Sequence, residues 1–448
     1  MNQDLPLQDL LQHAGITQLN EMQEDALRSI PQQANTLLLS PTGSGKTLAF
    51  MLPLLTFLQK DKEGIQCLII VPTRELGLQL EQVWKQLSTG YKVNFCYGGH
   101  AIETEMNNLK HPPTVLIGTP GRLCDHLLRG SFDPKPIHTL ILDEFDKSLE
   151  LGFQDQMDYL IRQLPQLSHR ILVSATSDLE IPKFTGATDL LRLDYIQEST
   201  NTKLRIFRVI SPEKDKIDTL FDLLCQLNSE AALIFCNHRE VAERISQLLN
   251  EKEIMTSYYH GGMDQDERER ALIQFRNGSI DYLVTTDLAA RGLDIPAMNH
   301  VIHYHLPTKQ DEFTHRNGRT ARMEAEGTAY VVLHKEDKLP AYLPKDLPLF
   351  VRSHESRLPD RPAFHTLYIS GGKKNKLSKT DIVGFFTKTG GLPKEAIGRI
   401  EVKDFASFVA VKNDFIRPLL TQIQQQKIKG KKYKIEVARP VIKREKRA

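Results

Sequence analysis

The stretch LLLSPTGSGKTLAF, residues 37–50, decides how the chain folds. Leu37–Leu39 has the character of a buried strand, Leu48–Phe50 continues as a helix, and a Gly-rich turn joins them. Gly43 and Gly45 let the backbone wrap a phosphate, whose charge then meets main-chain N–H groups and a helix N-terminus. Thr42 and Ser44 complete that turn, Lys46 reaches the outer phosphates, and Thr47 offers its hydroxyl to Mg²⁺. A strand that runs through such a loop into a helix opens an α/β unit that holds a nucleotide.

Working outward, TLILDEFD (residues 139–146) carries a strand straight into Asp143, Glu144 and Asp146. Three carboxylates at the end of a buried strand repel one another and resist desolvation, so they need a cation. Mg²⁺ on the nucleotide phosphates supplies it, held by Asp143 at the end of a neighbouring parallel strand, directly or through water. Glu144 then orients or deprotonates the attacking water, and Asp146 pairs with a neighbour. An acid-rich helix cap accounts for one of these carboxylates but not for all three.

Short apolar runs recur on either side: NTLLLS, CLIIVPT, TVLIGTP, TLILDE and RILVSAT, with amphipathic stretches such as Glu75–Leu87 between them. Strands alternating with helices predict a parallel sheet covered on both faces. The rhythm restarts after Asp194 with LRIFRVI, ALIFCN, DYLVTTD, HVIHYHLP and TAYVVL. Domains are therefore expected at 1–195 and 204–335, joined by a polar, unpatterned segment. Five prolines (340, 344, 348, 359 and 362) mark 336–362 as a semi-rigid linker. Residues 363–440 read β-α-β-β-α-β, with Ser378 and Asp381 spaced as a capping box, and 441–448 form a basic tail.

The composition is that of a water-soluble globular protein, 40% hydrophobic and 25% charged. Neither a signal peptide nor a membrane-spanning run is read, and five scattered cysteines suit reduced thiols, so a cytoplasmic protein is expected. The net charge of +2 hides an asymmetry: residues 361–448 carry 21 Lys+Arg against 7 Asp+Glu, or +14, leaving −12 on the rest. A basic segment on an acidic body suits either a polyanion-binding appendage or a solvated tail, and composition alone does not choose between them.

With these sites placed, the first two domains resemble DEAD-box RNA helicases almost throughout. Gln23, in GITQLNEMQ, matches the glutamine that reads adenine. PTREL (Pro72, Thr73 and Arg74) with Gln79, then Gly98-Gly99, then TPGR (Thr119, Gly121 and Arg122) match RNA-backbone motifs. DEFD stands where D-E-A-D does, and SAT (Ser174–Thr176) follows. IFCN, HGGMDQDER (with Gln265 and Arg268), TDLAARGLD (Thr286–Asp294) and HRNGRTAR (His315–Arg322) complete the set in order.

The resemblance implies two RecA-like parallel-sheet domains in tandem, followed by a small RRM-like α+β domain. It implies that Arg319 and Arg322 stabilise the transferring phosphate, that Gly292 and Asp294 meet the nucleotide with Asp294 on the ribose, and that Asp146, Ser174, Thr176 and His315 couple ATP chemistry to RNA. RNA would lie along its sugar–phosphate backbone, with Thr286 among its contacts, and its 2′-hydroxyls would mark it from DNA. ATP and Mg²⁺ are the implied cofactors, a monomer is expected, and an RNA-dependent ATPase that separates short duplexes is the implied activity.

Residues 364–438 resemble the C-terminal RNA-binding domain of DbpA-like bacterial helicases, which implies large-subunit ribosomal RNA as the target and pre-ribosomal particles as partners. Tyr368 and Phe408 occupy places where such a sheet stacks bases. Lys373, Lys374 and Lys376, with Lys427, Lys429, Lys431 and Lys432, would read phosphate and shape. His300, His303 and His305 are expected to pack rather than bind metal.

Some positions depart from the family pattern. Phe145 replaces the usual Ala, Ser40-Pro41 the usual Ala-Gln, and Ala321 a Gly, while Pro6 stands where an aromatic is usual. None removes a chemically required group, so an active enzyme is expected. An ATP-gated RNA clamp with weak hydrolysis, if Phe145 crowds the acids, and a general RNA-decay or stress helicase are the alternative functions.

Overall fold

The computed structural model describes residues 7–99, 101–176, 180–196, 204–287, 295, 298–320, 327–351 and 357–438. The chain divides near residue 203 into two compact units.

The first unit is built on seven strands: β1 Asn35–Leu39, β2 Cys67–Ile70, β3 Val93–Cys96, β4 Val115–Gly118, β5 Thr139–Leu142, β6 His169–Ser174 and β7 Leu191–Asp194. They lie in the order β3-β4-β2-β5-β6-β1-β7, and every pairing is parallel. Each strand feeds both faces by its period of two. Leu37 and Leu39 enter one helix-covered core with Phe145, while Leu38 enters the other with Phe50 and Trp84. Because all strands run the same way, the turns after β1, β5 and β6 gather on one edge of the sheet.

The second unit opens with six parallel strands: β8 Leu204–Ser211, β9 Ala232–Phe235, β10 Thr256–Tyr259, β11 Tyr282–Thr285, β12 His300–His303 and β13 Gly327–His334, in the order β10-β11-β9-β12-β13-β8. Its third-domain sheet is antiparallel: β14 Phe364–Ile369, β15 Ile397–Val402, β16 Ser407–Lys412 and β17 Ile435–Val437, in the order β15-β16-β14-β17. The Ser378 hydroxyl accepts from the Asp381 N–H and the Asp381 carboxylate from the Ser378 N–H, so the expected capping box starts the helix Lys379–Gly384.

The proline-rich segment departs from the semi-rigid spacer expected at 336–362. Leu343 and Leu347 are buried with Phe313, Val331 and Leu333. Arg208 exchanges backbone hydrogen bonds with Pro348 and Phe350, so the segment lies along the β8 edge. The prolines suit that path, since an edge has ladder positions that need no N–H.

The third domain is docked on its neighbour as well. The helix Gln265–Arg276 and the turn after it meet the sheet: Asn277 Nδ2 donates to Thr366 Oγ1 at 3.0 Å, the Ser279 and Thr366 hydroxyls lie 2.7 Å apart, and Gln274 Nε2 donates to the Ala438 carbonyl at 2.7 Å. All are buried. Arg276–Glu401 and Lys403–Glu269 pairs flank them.

Candidate nucleotide and RNA site

The phosphate loop has the backbone its glycines allow. Gly43 and Gly45 take φ of +86° and +90°, and Gly45 caps the helix Lys46–Leu54. A Cβ on Gly45 would lie 2.4 Å from Gln23 Nε2, so a larger residue there would push that amide off the loop. Gln23 Nε2 donates to the Gly45 carbonyl at 3.2 Å, and Asn20 Nδ2 to that of Ser44 at 2.9 Å. Asn20 and Gln23 also form the capping box of the helix Glu21–Ser29. One pair of amides thus starts a helix and braces the loop. Sequence reading found Gln23 but missed Asn20, although the Asn-x-x-Gln spacing was visible. Lys46 Nζ donates to the Ser40 and Pro41 carbonyls, and the Ser44 hydroxyl to Pro41 O at 2.8 Å, which curls the loop on itself.

The acids follow β5. Asp143 is buried, and its pKa is pushed up to about 7 by burial first and then by Glu144's charge. The Lys46 ammonium and the Glu144 N–H, 2.9 Å from Asp143 Oδ1, oppose the rise. Glu144 has φ +46°, a left-handed conformation that costs a non-glycine residue about 1–3 kcal/mol and clusters at functional sites. Phe145 is fully buried in the first domain's core, with Phe184 at 6.5 Å between ring centroids. Its ring therefore occupies core volume.

Asp146 takes a different partner: Thr176 Oγ1 donates to its Oδ2 at 2.8 Å, and the Thr176 N–H donates to Ser174 Oγ at 3.0 Å. The acid-bearing strand is not beside β1 as the sequence suggested. β6 lies between them, and the Ser40 N–H donates to the Ser174 carbonyl at 3.1 Å. A phosphate loop with an ammonium, next to a carboxyl whose ionisation burial disfavours, fits nucleotide with a divalent cation. The cation would restore the carboxylate's charge, with Asp143 and Thr47 as its holders.

The RNA-motif stretches of the first domain meet through two residues that the sequence did not single out. The Arg74 guanidinium sits 4.2 Å over the Tyr97 ring. Tyr97 precedes Gly98-Gly99, and its N–H donates to Glu105 Oε1 at 2.9 Å. Arg122 Nε donates to the Tyr97 carbonyl at 3.0 Å and lies 3.4 Å from Glu105 Oε2, which also meets His126 Nε2 at 2.6 Å. Cys96 lies within ligand range of Glu105 and His126. Burial pushes its thiol far above the usual range, and the adjoining guanidinium already balances the carboxylate, so a proton-bearing network fits better than a metal. Thr73 caps the helix Arg74–Leu87 by accepting from the Leu76 N–H at 3.2 Å, with Pro72 just before it. Thr119 and Gly121 flank the start of the helix Pro120–Leu128.

In the second domain, Gln265 and Arg268 stand on the first turn of Gln265–Arg276, and Thr286 follows β11. His315 and Arg319 are buried. Between them Arg316, also missed by the sequence reading, is fully buried: Nε donates to Asp287 at 2.6 Å, Nη1 to the His305 carbonyl at 2.7 Å and Nη2 to Asn237 at 2.9 Å. Its guanidinium fixes the turn that carries Arg319. Gly292, Asp294 and Arg322, like Pro6, Ala321 and the 441–448 tail, lie outside the described residues. His303 stacks on Phe313 at 4.5 Å and meets Asn317 Oδ1 at 3.0 Å, while His300 meets Glu230 at 2.7 Å. Glu230 thus gives His300 an acid partner distant in sequence.

In the third domain Tyr368 is half-buried and lies edge-on to the buried Phe408, 5.7 Å between centroids. They belong to the sheet face that carries Thr366, which is docked on the second domain. Lys373, Lys374, Lys376, Lys429, Lys431 and Lys432 are exposed at one end of the sheet, and Lys429 Nζ donates to the Lys376 carbonyl at 3.1 Å, joining the two lysine groups.

Residues 20–184 match the DEAD/DEAH box helicase family, 215–324 the helicase conserved C-terminal domain, and 366–437 the DbpA RNA binding domain. The chain belongs to the DEAD-box ATP-dependent RNA helicases. It is 32% identical to the ATP-dependent RNA helicase DbpA of Escherichia coli (strain K12), covering 96% of this chain and 98% of that one. It is 28% identical to the DbpA of Bacillus subtilis (strain 168), covering 96% of each. Among solved structures, S. cerevisiae Dbp5 bound to RNA and ADP BeF3 superposes with a TM-score of 0.65 at 26% identity, covering 73% of this chain and 88% of that one. Mss116 bound to ssRNA and UDP-BeF gives 0.66 at 26% identity, covering 74% and 73%. Among the described residues no helix is long and apolar enough to cross a membrane.

Proposed function

We propose that this RNA helicase remodels large-subunit ribosomal RNA by separating short duplexes as ATP draws its helicase domains together. In this reading Lys46 and the 42–47 turn hold the phosphates, Gln23 selects adenine, and Glu144 directs the attacking water. Bound Mg²⁺ would neutralise phosphate charge at Asp143 and Thr47. Arg319 and Arg322 would stabilise the transferring group, a contribution of roughly 10³–10⁵ in rate for such arginines. Gly292 and Asp294 would complete nucleotide recognition, and His315 would join Asp146, Ser174 and Thr176 in coupling.

RNA backbone would run over Pro72, Thr73, Arg74, Gly98, Gly99, Thr119, Gly121, Arg122, Gln265, Arg268 and Thr286. The observation that carries the reading is the hydrogen bond from Thr176 to Asp146, which ties the acid loop to the motif after β6 next to a phosphate loop. The basic third domain and its likeness to the DbpA RNA-binding domain support ribosomal RNA as the target, with a monomeric, cytoplasmic enzyme acting on pre-ribosomal particles.

The burial of Phe145 in the core supports turnover over the clamp alternative, because the ring packs among the first domain's apolar residues. The test is ATP hydrolysis with large-subunit ribosomal RNA fragments compared with an unstructured homopolymer. Strong preference for a ribosomal fragment is expected. Equal stimulation by both would favour a general RNA-decay helicase, and turnover no faster than that of Lys46→Ala would end the enzymatic reading.

A further inference from the structure

We propose that Phe405 is a base-stacking platform that extends RNA binding from the second helicase domain onto the third. The inference rests on the RNA-helicase reading above and adds a contact that sequence patterning does not show. Phe405 is 70% exposed, whereas every other phenylalanine described is buried or half-buried. Leaving a ring of this size in water forfeits the gain from burying it, about 1.5–3 kcal/mol. A lone exposed ring on a loose loop would mean little.

The turn that carries this ring is held in place. The ring lies on the turn Lys403–Ala406 between β15 and β16, closed by the Lys403 N–H to the Ala406 carbonyl at 2.8 Å. A second turn clamps it from behind: the Lys373 N–H donates to the Lys403 carbonyl and the Lys374 N–H to the Asp404 carbonyl, both at 2.8 Å. Gly372 makes that approach possible, since a Cβ there would lie 2.1 Å from the Lys403 carbonyl. The buried Ser407 hydroxyl adds a bond to the Gly371 carbonyl at 2.7 Å.

The surroundings select the partner. Lys373 and Lys374 sit on the clamping turn, and Lys376 and Lys429 are joined beside it. Lys403, on the aromatic turn itself, pairs with Glu269, the neighbour of Arg268 on the helix Gln265–Arg276. The sheet face where a small RNA-binding domain could stack bases is engaged at Thr366 by Asn277 and Ser279. An exposed aromatic on a fixed turn flanked by lysines, at the margin of a helix read as touching RNA, matches an unpaired nucleotide of a single strand. The ring takes the base and the ammonium groups take the phosphates. An apolar protein partner would leave those lysines uncompensated.

The experiment uses the full chain and a short single-stranded RNA carrying 2-aminopurine, titrated over a range of salt. Phe405→Ala should weaken binding about tenfold and abolish the stacking-induced quenching, with the slope of log affinity against log salt unchanged because no charge is removed. Phe405→Trp should bind as tightly as the wild type. Phe405→Leu, which keeps apolar bulk without a π face, should behave as Ala does. Lys373→Ala with Lys374→Ala should instead reduce the salt slope. RNA-free ATP turnover and the thermal midpoint should match the wild type in the Phe405 variants. Wild-type affinity in Phe405→Ala or in Phe405→Leu would overturn the proposal. If the wild type itself bound no RNA, the helicase reading, and not the stacking site alone, would fall.

Discussion

Thr176 and Asp146 lie on different segments of the first domain, yet the hydroxyl of one donates to the carboxylate of the other at 2.8 Å. A bond to a buried charged group contributes about 1.5–3 kcal/mol. Thr176→Ala should therefore leave Asp146 short of a partner. Unwinding per ATP consumed is expected to fall at least tenfold while phosphate release with RNA falls much less. Parallel strand-separation and phosphate-release assays check this, and equal losses in both would show that the bond does not couple them.

Asp143 gives a prediction with opposite signs for stability and activity. Its folded pKa of about 7 stands above the ordinary 3.8, so the folded state holds the proton more tightly and stability falls as pH rises from about 4 through 7. Asp143→Asn removes that liability. In metal-free buffer at pH 8 it should be more stable than the wild type by about 1–3 kcal/mol in urea, yet hydrolyse ATP at the Lys46→Ala level. A destabilised Asn variant would show that the carboxylate is structurally favourable as it stands.

His303 responds to pH in the reverse direction. Burial first, with Arg316's charge adding to it, drives its folded pKa down to about 3, and burial lowers His305 to about 4. The unfolded chain then binds more protons between these values and about 6.5, so stability rises with pH across that window and is complete above it. The second domain should lose up to about 1.4 kcal/mol per pH unit for each histidine on acidification from pH 6. Urea denaturation of wild type and His303→Leu at pH 7.5 and 5.5 reads this out, and the variant should show the shallower dependence.

Phe145 fills core volume, so Phe145→Ala should cost about 3–5 kcal/mol through lost burial and the cavity left behind. Chemical denaturation measures it. If the variant instead hydrolyses ATP faster at unchanged stability, the ring crowds the acid loop after all.

Thr366 receives Asn277 and faces Ser279 in a buried cluster. Thr366→Val keeps the shape and strands two polar groups, at about 1–3 kcal/mol each. Limited proteolysis should then release a fragment beginning near residue 357 far sooner than in the wild type, with the helicase domains intact.

Much of this architecture was legible because parallel strands buried on both faces leave continuous apolar runs, and because a phosphate loop needs glycine at positions where other residues are strained. Leu37–Leu39 and Gly43–Lys46 carry both signals in a few residues. What escaped reading depends on partners distant in sequence. Glu105 looks like any helical acid until Tyr97, Arg122 and His126 converge on it, and Arg316 resembles its neighbour Arg319 until Asp287 and Asn237 enclose it. The order of strands was likewise beyond local patterning, so the acid strand was expected beside β1 when β6 intervenes. The 336–362 prolines spoke of stiffness but not of where the segment rests.

The clasp of Gln274, Asn277 and Ser279 upon Thr366 and Ala438 changes what kind of machine this is. On the proposed reading, a nucleic acid held by the lysine-rich end would be fixed to the Gln265–Arg276 helix, not held on a leash. Any swing of that helicase half would then pass directly to its cargo, as a crank delivers torque.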